Sequence, residues 1–523
     1  MTEELAAKDA AISVLREEND VLQAKLAALA QIAFGGSERR SSAGRDDDAG
    51  LGDLNDESLG DDEDNQDSCE PPGPPEDSEN EARDKRRRGQ QRGSTGHGRG
   101  RYDHLEVKIV FHDLDEDDRR CSICGSIYEQ IAGDEVSSEI TWRVVVYRIE
   151  HHRHRYRRSC SCEASPVLIL APTPAKVIPK GLFSAFAIAS LLVDKFALAR
   201  PVNKIIASLS MQGLEVSPGS LAGVLERVGV LLVPLKDAIA SHVRSASWWN
   251  CDETSWACFF DPDAPQRADG RKRRWWLWVA KASDATVFVV VPSRAAKVLE
   301  TLLGSDDTSI SGIVCSDMYP AYGCLDSLRF IHAWCWAHVR RHIMRAAASK
   351  KGLEAWREAW LQDIAAMYAG WHARRDGTDD GTALLSALAS MRDRLDIELT
   401  ETLAPRAKKV LKMIDSHWDG LITFASHPEI APDNNAAERA LRPEVLLRKN
   451  CRGSGSPFAA DLAGSAFSVI ATAAQWNLNP LSYLNAYLRG CAQAGGDAPD
   501  DIAAFLPWSA SPEDLASWRA PPQ

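Results

Sequence analysis

Three acidic residues stand where carboxylates could bind a divalent metal ion. Asp252 lies in WNCDETSW, Asp317 in VCSDMYPAY and Glu438 in APDNNAAERALRP. The first two follow apolar runs typical of strands, and the third falls in the first turn of a predicted helix. Mg²⁺ prefers oxygen ligands, and paired ions activate an attacking oxygen and stabilise a leaving oxygen on phosphorus. If folding brings the three carboxylates together, they predict a Mg²⁺ or Mn²⁺ site that cuts and joins nucleic-acid backbone.

Each carboxylate also has an ordinary structural interpretation. Asp252 could occupy a turn at a strand end, and Asp317 could cap the turn that follows it. Glu438 stands three residues after Asn435, which is the spacing of a capping box, and one helical turn before Arg442. The order and surroundings of the three acids together favour the metal site over three unrelated structural roles.

The segments around these acids predict an α/β fold with a ribonuclease H-like core over residues 246–490. Three apolar runs after Ser247 predict antiparallel strands, a helix follows, and further apolar strands precede residue 336. In that architecture Asp252 lies on the first strand and Asp317 at the end of the fourth, so the two are neighbours in the sheet. A helical insertion, residues 339–426, separates Asp317 from Glu438.

The chain has 523 residues, too many for one hydrophobic core. Residues 1–34 carry a heptad pattern with a single Asn19 among apolar seam residues, which predicts a coiled-coil homodimer; the alternative is an amphipathic helix docked on its own chain. Residues 35–101 lack apolar periodicity and predict a disordered linker, acidic first and then basic. The basic end could bind phosphate, or it could only neutralise the acidic stretch beside it.

The net charge of −13 is concentrated in this linker. Residues 46–81 hold 16 Asp and Glu and no Lys or Arg, so the rest of the chain has a net charge of +3. A DNA partner is therefore compatible with the composition. The N-terminus lacks the features of a secretory signal, and no run approaches 18 apolar residues, so we expect a cytoplasmic protein with no membrane partner.

Residues 102–175 predict a small zinc-ribbon-like DNA-binding domain. Two cysteine pairs bracket a strand-like stretch and supply four thiolates for structural Zn²⁺: Cys121, Cys124, Cys160 and Cys162. The second pair has a tighter spacing than usual, so His151, His152 or His154 could replace a ligand, and free thiols are the alternative to zinc. Nearby Arg155, Arg157 and Arg158 form a basic patch suited to phosphates.

Residues 176–245 predict short helices in a helix-turn-helix-like arrangement. Ser217 and Pro218 form a helix start, and the helix that follows occupies the place of a recognition helix. A small helical bundle without a DNA role would look the same. Residues 491–523 are predicted to form a C-terminal tail.

Four motifs resemble those of transposases of the insertion sequence 66 family. They are DETSW, SDMYPAY, CWAHVRRH and DNNAAERALRPEVLLRKN, and the resemblance spans residues 102–490. It implies a DDE-type transposase that cleaves double-stranded DNA at the ends of its own element and joins it to target DNA, with companion proteins of that element. It also implies that Asp252, Asp317 and Glu438 bind the metal. The residues implied to line the site or hold DNA are His338, Arg340, Asn434, Asn435, Arg439 and Arg442.

Two other functions compete with transposition. A catalytically silent DNA-binding protein derived from a transposase would use the zinc-binding and helical regions alone, but it would not need three separated carboxylates. A structure-selective nuclease on the same fold would not explain a dimerising N-terminus together with two DNA-binding modules. The intact acidic triad therefore favours the transposase.

The cysteine pairs lead to a first prediction. Residues 102–175, expressed alone, should bind one zinc ion per chain and unfold when a chelator removes it, because thiolate coordination replaces a core that is too small to stand alone. Metal analysis and circular dichroism measure both properties. A folded fragment without metal would exclude the zinc ribbon.

Overall fold

The computed structural model describes residues 144–157, 159, 166–261, 274–304, 311–327 and 330–522, with a few single positions between 107 and 128. The predicted coiled coil and linker, residues 1–34 and 35–101, lie outside the described residues. So do Cys121, Cys160, Cys162 and Arg158. Cys124 is described and exposed. The predicted zinc ribbon therefore stays a prediction.

A two-stranded antiparallel ribbon precedes the main domain. Strand β1 is Arg155–Arg157 and strand β2 is Leu168–Leu170, with Tyr156 opposite Ile169. All six residues are exposed. Two of the predicted phosphate-binding arginines, Arg155 and Arg157, thus lie on an exposed strand.

The main domain is built on a five-stranded mixed sheet, which confirms the α/β prediction. Its strands are β3 (Trp248–Ala257), β4 (Arg274–Lys281), β5 (Thr286–Val291), β6 (Gly312–Ser316) and β7 (Phe330–Trp334). The spatial order is β5-β4-β3-β6-β7. Strands β3 to β5 are antiparallel, while β6 pairs parallel with β3 and β7 pairs parallel with β6. Strand β3 is therefore central and adjoins β6.

Helices before the sheet share its core. They are α1 (Ala185–Leu192), a π-helical turn (Val193–Ala197), α2 (Val202–Met211) and α3 (Pro218–Arg244). Ser217 caps α3 as predicted, because its hydroxyl accepts a hydrogen bond from the Ser220 N–H at 3.1 Å. Residues of α3 such as Leu225, Val228 and Leu232 are buried in the same hydrophobic core as strands β3 to β5. The helical region is thus packed against the sheet, and its role in DNA recognition stays a prediction.

Helices after the insertion complete this core. They are α11 (Asn435–Cys451), α12 (Pro457–Gln475), α13 (Pro480–Gln493) and α14 (Pro512–Arg519), with a 3₁₀ turn at Ile502–Phe505. Helix α12 covers the edge strand β5: the Ser468 and Thr472 hydroxyls accept hydrogen bonds from the N–H groups of Phe288 and Thr286. An exposed edge would otherwise present these groups to other chains.

Residues 491–523, predicted to be a tail, also contribute to the fold. Trp518 on α14 is 4% exposed, and its ring centroid lies 5.2 Å from that of Tyr483. Leu506 is buried in the same core. Apolar residues in this segment find partners that could not be identified from their sequence spacing.

Residues 336–426, between strand β7 and Glu438, are mostly helical and form a second core. Helix α4 (Ala296–Leu303) precedes β6; the later helices are α5 (Trp336–Ala348), α6 (Glu354–Arg375), α7 (Thr382–Thr400), α8 (Pro405–Ser416), α9 (Trp418–Leu421) and α10 (Thr423–Ser426). The buried residues of α5 to α10 form one cluster with Ile313 and Cys315 of β6, whereas those of α4 belong to the core around β3 to β5. The helical segment therefore packs directly on the sheet.

Two described helices are long and apolar enough to cross a membrane by length and composition: α3 and α12. Gly229 of α3 faces Phe458 of α12 so closely that an added Cβ would lie 2.7 Å from the ring. Both helices contribute buried residues to the core around the sheet, and core helices commonly have such a composition. The cytoplasmic location stays a prediction.

Glu444 is a buried carboxyl on α11, in line with the buried residues Ala437, Leu441 and Leu447. The sequence makes it the next candidate for a metal ligand if Glu438 is only a helix cap. It is 5% exposed, its Oε2 atom has no hydrogen-bond partner, and burial raises its pKa to about 8. Glu444 thus belongs to the core face of the helix.

This burial predicts a pH-dependent stability. The folded state holds the Glu444 proton up to about pH 8, whereas the unfolded chain releases it near its ordinary pKa of 4.5. The free energy of unfolding should therefore fall as pH rises between these values, by on the order of a few kcal/mol. Glu444→Gln should remove most of this fall, measured by urea unfolding at pH 5 and pH 8. The same pH dependence in both proteins would contradict the assignment.

Candidate functional site

Asp252 and Asp317 lie on neighbouring strands at matching positions. Strands β3 and β6 run parallel, and Asn250 lies opposite Cys315, 65 positions later in the chain. Asp317 follows Asp252 by the same 65 positions. The register, continued for two residues, places the two aspartates side by side where β6 ends.

Asp252 lies on the first strand of the sheet, as predicted, and not in a turn at the end of that strand. It lies inside β3, which continues to Ala257 through its pairing with β4. The pairing of β3 with β6, however, reaches only Asn250. Asp252 thus lies just beyond the parallel pairing, although it is not at the end of its strand, and the residue is partly buried.

Asn434 fixes the start of helix α11 on β3. Its side chain is fully buried; it accepts a hydrogen bond from Asn250 Nδ2 at 3.0 Å and donates to the Cys251 carbonyl at 2.7 Å. Its backbone N–H donates to Cys335 Sγ at 3.2 Å. The family resemblance implies that Asn434 lines the site. Its side chain is instead buried, where it connects helix α11 to strand β3.

Further contacts hold α11 along β3. Arg448 Nη1 donates to Thr254 Oγ1 at 2.9 Å, and Trp256 Nε1 donates to Ser454 Oγ at 2.9 Å just beyond the helix. Glu438 is one helical turn after Asn434, about 6 Å along the axis. Because Asn434 is attached beside Asp252, Glu438 lies at about the level of Asp252 on the same side of the sheet.

The Glu438 carboxylate is bound by the first helix of the second core. Arg341 Nη2 on α5 donates to Oε1 and Oε2 at 2.8 and 3.1 Å. His338 Nε2 lies 3.9 Å from Oε1 and 3.1 Å from Arg341 Nη1. The N-cap position of α11 is Asn434, without a side-chain cap, so the capping box of Asn435 and Glu438 does not form. Arg340, the predicted site arginine, is exposed.

The capping role proposed for Asp317 does form. The Tyr319 N–H donates to Asp317 Oδ1 at 3.0 Å, which closes the turn after β6. This hydrogen bond orients one carboxylate oxygen and leaves the other for a ligand. A structural role and a binding role are therefore compatible at this residue.

The acids around Asp252 repel one another. Burial and the negative charges of Glu253, Asp317 and Glu438 raise the pKa of Asp252 well above its usual range. A nearby cation would relieve this repulsion. In the described part of the chain no three His, Cys, Asp or Glu side chains converge closely enough to hold a metal ion. The two aspartates fit one as neighbouring oxygen donors, whereas Glu438 is bound by Arg341.

The remaining predicted DNA contacts are distributed over two elements. Arg439 and Arg442 are exposed on α11, close to the acids in sequence and on the helix surface. Asn435 is half-buried, and its N–H donates to Asp433 Oδ1 at 3.0 Å. Arg155 and Arg157 lie on the exposed ribbon.

Sequence reasoning missed three residues at or beside this site. Arg341 follows Arg340, the arginine that was predicted for the site. Its spacing of three residues from His338 indicates that both side chains lie on one face of the helix. Lys281 lies opposite Asn250 on β4; burial and the charge of Arg439 lower its pKa to about 8. Glu253 follows Asp252 directly but faces the opposite side of the sheet, where it binds Arg294. No local pattern indicated its partner.

Six tryptophans lie on strands β3 and β4, and most of them pack within the sheet. Trp249, Trp256, Trp275 and Trp278 are buried, with at most 6% exposure. Trp248 and Trp276 are half-buried. The indole N–H of Trp249 donates to the Val243 carbonyl and that of Trp278 to the Ser293 carbonyl, which ties both rings into the fold.

Comparisons with known proteins found relatives and a family model that match this chain. Three proteins of Sinorhizobium fredii (strain NBRC 101917 / NGR234), each described as uncharacterized, are similar to this chain: y4qI, y4jD and y4hP are each 25% identical to it. The alignments cover 75%, 76% and 74% of this chain and 74%, 79% and 73% of the relatives. A family model described as Transposase IS66 family matches residues 180–462, more than half of the chain. The chain therefore belongs to the IS66 family of transposases.

Proposed function

We propose that this protein cleaves double-stranded DNA at the ends of its own insertion sequence and transfers the strands to target DNA in a metal-dependent reaction. The observation that carries this proposal is the placement of Asp252, Asp317 and Glu438. Strands β3 and β6 pair in parallel and lead in register to Asp252 and Asp317, and a helix attached to β3 carries Glu438. Family membership supports a transposase-type function for this group of acids.

We also infer a ribonuclease H-like core. The strand order β5-β4-β3-β6-β7 has three antiparallel strands followed by two strands parallel to the central one. Strands β3 and β6 pair in parallel up to Asn250 and Cys315, so the residues that follow this pairing in the two segments lie close together. This supports the assignment of Asp252 and Asp317 to one site.

Asp252 and Asp317 would hold Mg²⁺ or Mn²⁺, with Glu438 as the third ligand. Two such ions, when bound, polarise the scissile phosphate and stabilise the attacking and leaving oxygens. To bind a metal ion, the Glu438 carboxylate must release Arg341, which is hydrogen-bonded to both of its oxygens. Arg341 can leave Glu438 because its side chain is 41% exposed and can turn toward solvent or DNA.

Positive residues around the acids would bind the DNA backbone. Arg439 and Arg442 project from α11 and Arg340 from α5, all exposed. Lys281 lies near Arg439, and a phosphate between the two would offset their mutual repulsion. The exposed ribbon with Arg155 and Arg157 would extend the contact. Dimerisation through residues 1–34 and companion proteins remain part of the proposal.

The alternative is a catalytically silent DNA-binding protein derived from a transposase. Such a protein would use the basic surfaces but not the acids. Carboxylates that lie close together repel one another when no cation is bound. This repulsion contributes to the raised pKa of Asp252. A protein that only binds DNA has no need for the arrangement, so we favour the enzyme.

Removing one aspartate tests the proposal. Asp252→Asn or Asp317→Asn should abolish cleavage of duplexes taken from the DNA that flanks the reading frame. Binding of the same duplexes should stay within a few-fold of wild type, because phosphate contacts lie elsewhere. Asp500→Asn, which changes an exposed aspartate in the C-terminal segment, is the matched control. Wild-type cleavage by either site variant would exclude the metal assignment.

Glu438 requires a test that separates a ligand from an ion-pair partner. Glu438→Gln and Arg341→Gln remove the same salt bridge, but only the first removes the carboxylate. A pair of this exposure contributes about 1 kcal/mol or less, so both melting temperatures should change by only a few degrees. Strand joining by Glu438→Gln should fall more than about a hundredfold, which exceeds the usual effect of a residue behind a ligand.

The difference between the two variants distinguishes the carboxylate from the salt bridge. Arg341→Gln should retain far more joining activity than Glu438→Gln, as measured by product formation on gels. Equal losses in both variants would show that the salt bridge, and not the carboxylate, is what the reaction requires.

A further inference from the structure

Glu253 carries a second buried carboxylate directly after Asp252. Side chains alternate along a strand, so it faces the opposite side of the sheet from Asp252. Its side chain is 1% exposed, and both of its oxygens have partners. Arg294 donates to Oε1 from Nε at 2.9 Å and from Nη2 at 2.8 Å, while the Tyr322 hydroxyl donates to Oε2 at 2.7 Å.

Both partners connect Glu253 to the segment that carries Asp317. Tyr322 belongs to the 3₁₀ helix Pro320–Ser327, which begins three residues after Asp317. The Arg294 guanidinium carbon lies 3.4 Å from the ring centroid of Tyr319, whose N–H donates to Asp317 Oδ1. The segment after Asp317 is thus attached to Glu253 at two points.

Arg294 itself is held in place by the sheet. Its guanidinium carbon lies 4.4 Å from the ring centroid of Trp276 on β4, so the cation is stacked between Trp276 and Tyr319. Residues Ser255 and Trp276 are paired in the sheet, which puts this ring on the same face as Glu253. The Arg294 position is therefore set by the sheet and not by a flexible loop alone.

Stability alone does not explain this buried ion pair. Apolar residues of similar volume often replace such a pair without loss of stability, because desolvation offsets the attraction between the charges. Strand pairing does not fix the backbone at Asp317, because β6 ends at Ser316. Directional hydrogen bonds to Glu253 supply the geometry that the strand no longer provides.

We propose that Glu253 and Arg294 are positioning residues that hold the Asp317 segment beside Asp252 so that the two aspartates can share a metal ion. This inference rests on the proposed function, since it assumes that the aspartates bind metal. Neither Glu253 nor Arg294 touches the metal or the DNA. They act through Tyr319 and Tyr322, on the face of the sheet opposite Asp252.

Glu253→Gln tests this proposal in the full-length protein. The amide keeps the shape but loses the charge that holds Arg294, so Asp317 should be less well placed. The dissociation constant for Mn²⁺, measured by calorimetry without DNA, should rise about tenfold or more. The Mn²⁺ concentration at half-maximal cleavage should rise in parallel. Glu513→Gln, which changes an exposed glutamate on α14, should alter neither value.

Tyr322→Phe provides a milder second variant. It removes one hydrogen bond and keeps the buried ring, so folding should be preserved even if Glu253→Gln does not fold. Mn²⁺ affinity should fall in the same direction but by less. The double variant should bind Mn²⁺ no more weakly than Glu253→Gln alone, because the hydrogen bond is already disturbed there.

Asp252→Asn, measured in the same assays, distinguishes a failure of the proposed metal-dependent function from a failure of the positioning role of Glu253. If it cleaves like wild type, the proposed metal-dependent function fails. If it is inactive while Glu253→Gln and Tyr322→Phe bind Mn²⁺ like wild type, the function stands and the positioning role fails. Slower cleavage with unchanged Mn²⁺ affinity in the folded variants would likewise overturn the positioning role.

Discussion

The attachment of helix α11 to strand β3 through Asn434 is the constraint on which the geometry of the site depends. The Asn434 amide uses both its oxygen and its nitrogen, toward Asn250 and the Cys251 carbonyl. In a fully buried place, each lost partner would leave a polar group unsatisfied at a cost of about 1–3 kcal/mol. The helix start therefore has one favourable position relative to β3, and Glu438 lies one turn beyond it.

Strand β3 consequently supports every part of the acidic site. It carries Asp252, its parallel partner β6 leads into Asp317, and α11 lies along it with Glu438. The opposite face of the same strand carries Glu253 and its arginine. Gathering these acids is electrostatically unfavourable, and two arginines from other elements, Arg294 and Arg341, offset part of the charge.

The helices between β7 and Glu438 are packed against the sheet and contact the acidic site. Their core includes residues of β6, and two of their side chains reach the acidic site or its support. Arg341 binds Glu438, and the Tyr368 hydroxyl donates to Asp433 Oδ2 at 3.0 Å, just before α11. A movement of these helices would therefore be transmitted to Glu438. These two contacts attach the helical region to the first part of α11.

Much of the fold and most of the candidate acids could be predicted from the sequence. Apolar runs identified the strands, Ser217 and Pro218 identified a helix start, and four motifs identified the family, because these signals depend on local chemistry. The packing of residues 491–523 was missed. The burial of Trp518 depends on Tyr483, which is distant in sequence, and no periodicity reveals such a contact.

The division of roles among neighbouring residues was decided only by the tertiary structure. The sequence offers Asn434 and Asn435, Arg340 and Arg341, and Asp252 and Glu253 as adjacent pairs with similar chemistry. A one-residue step turns a side chain by about 100° on a helix or to the opposite face of a strand. Which member of each pair meets a partner depends on what packs there. The sequence determined which chemical groups are available, and long-range packing determined which of them face the site.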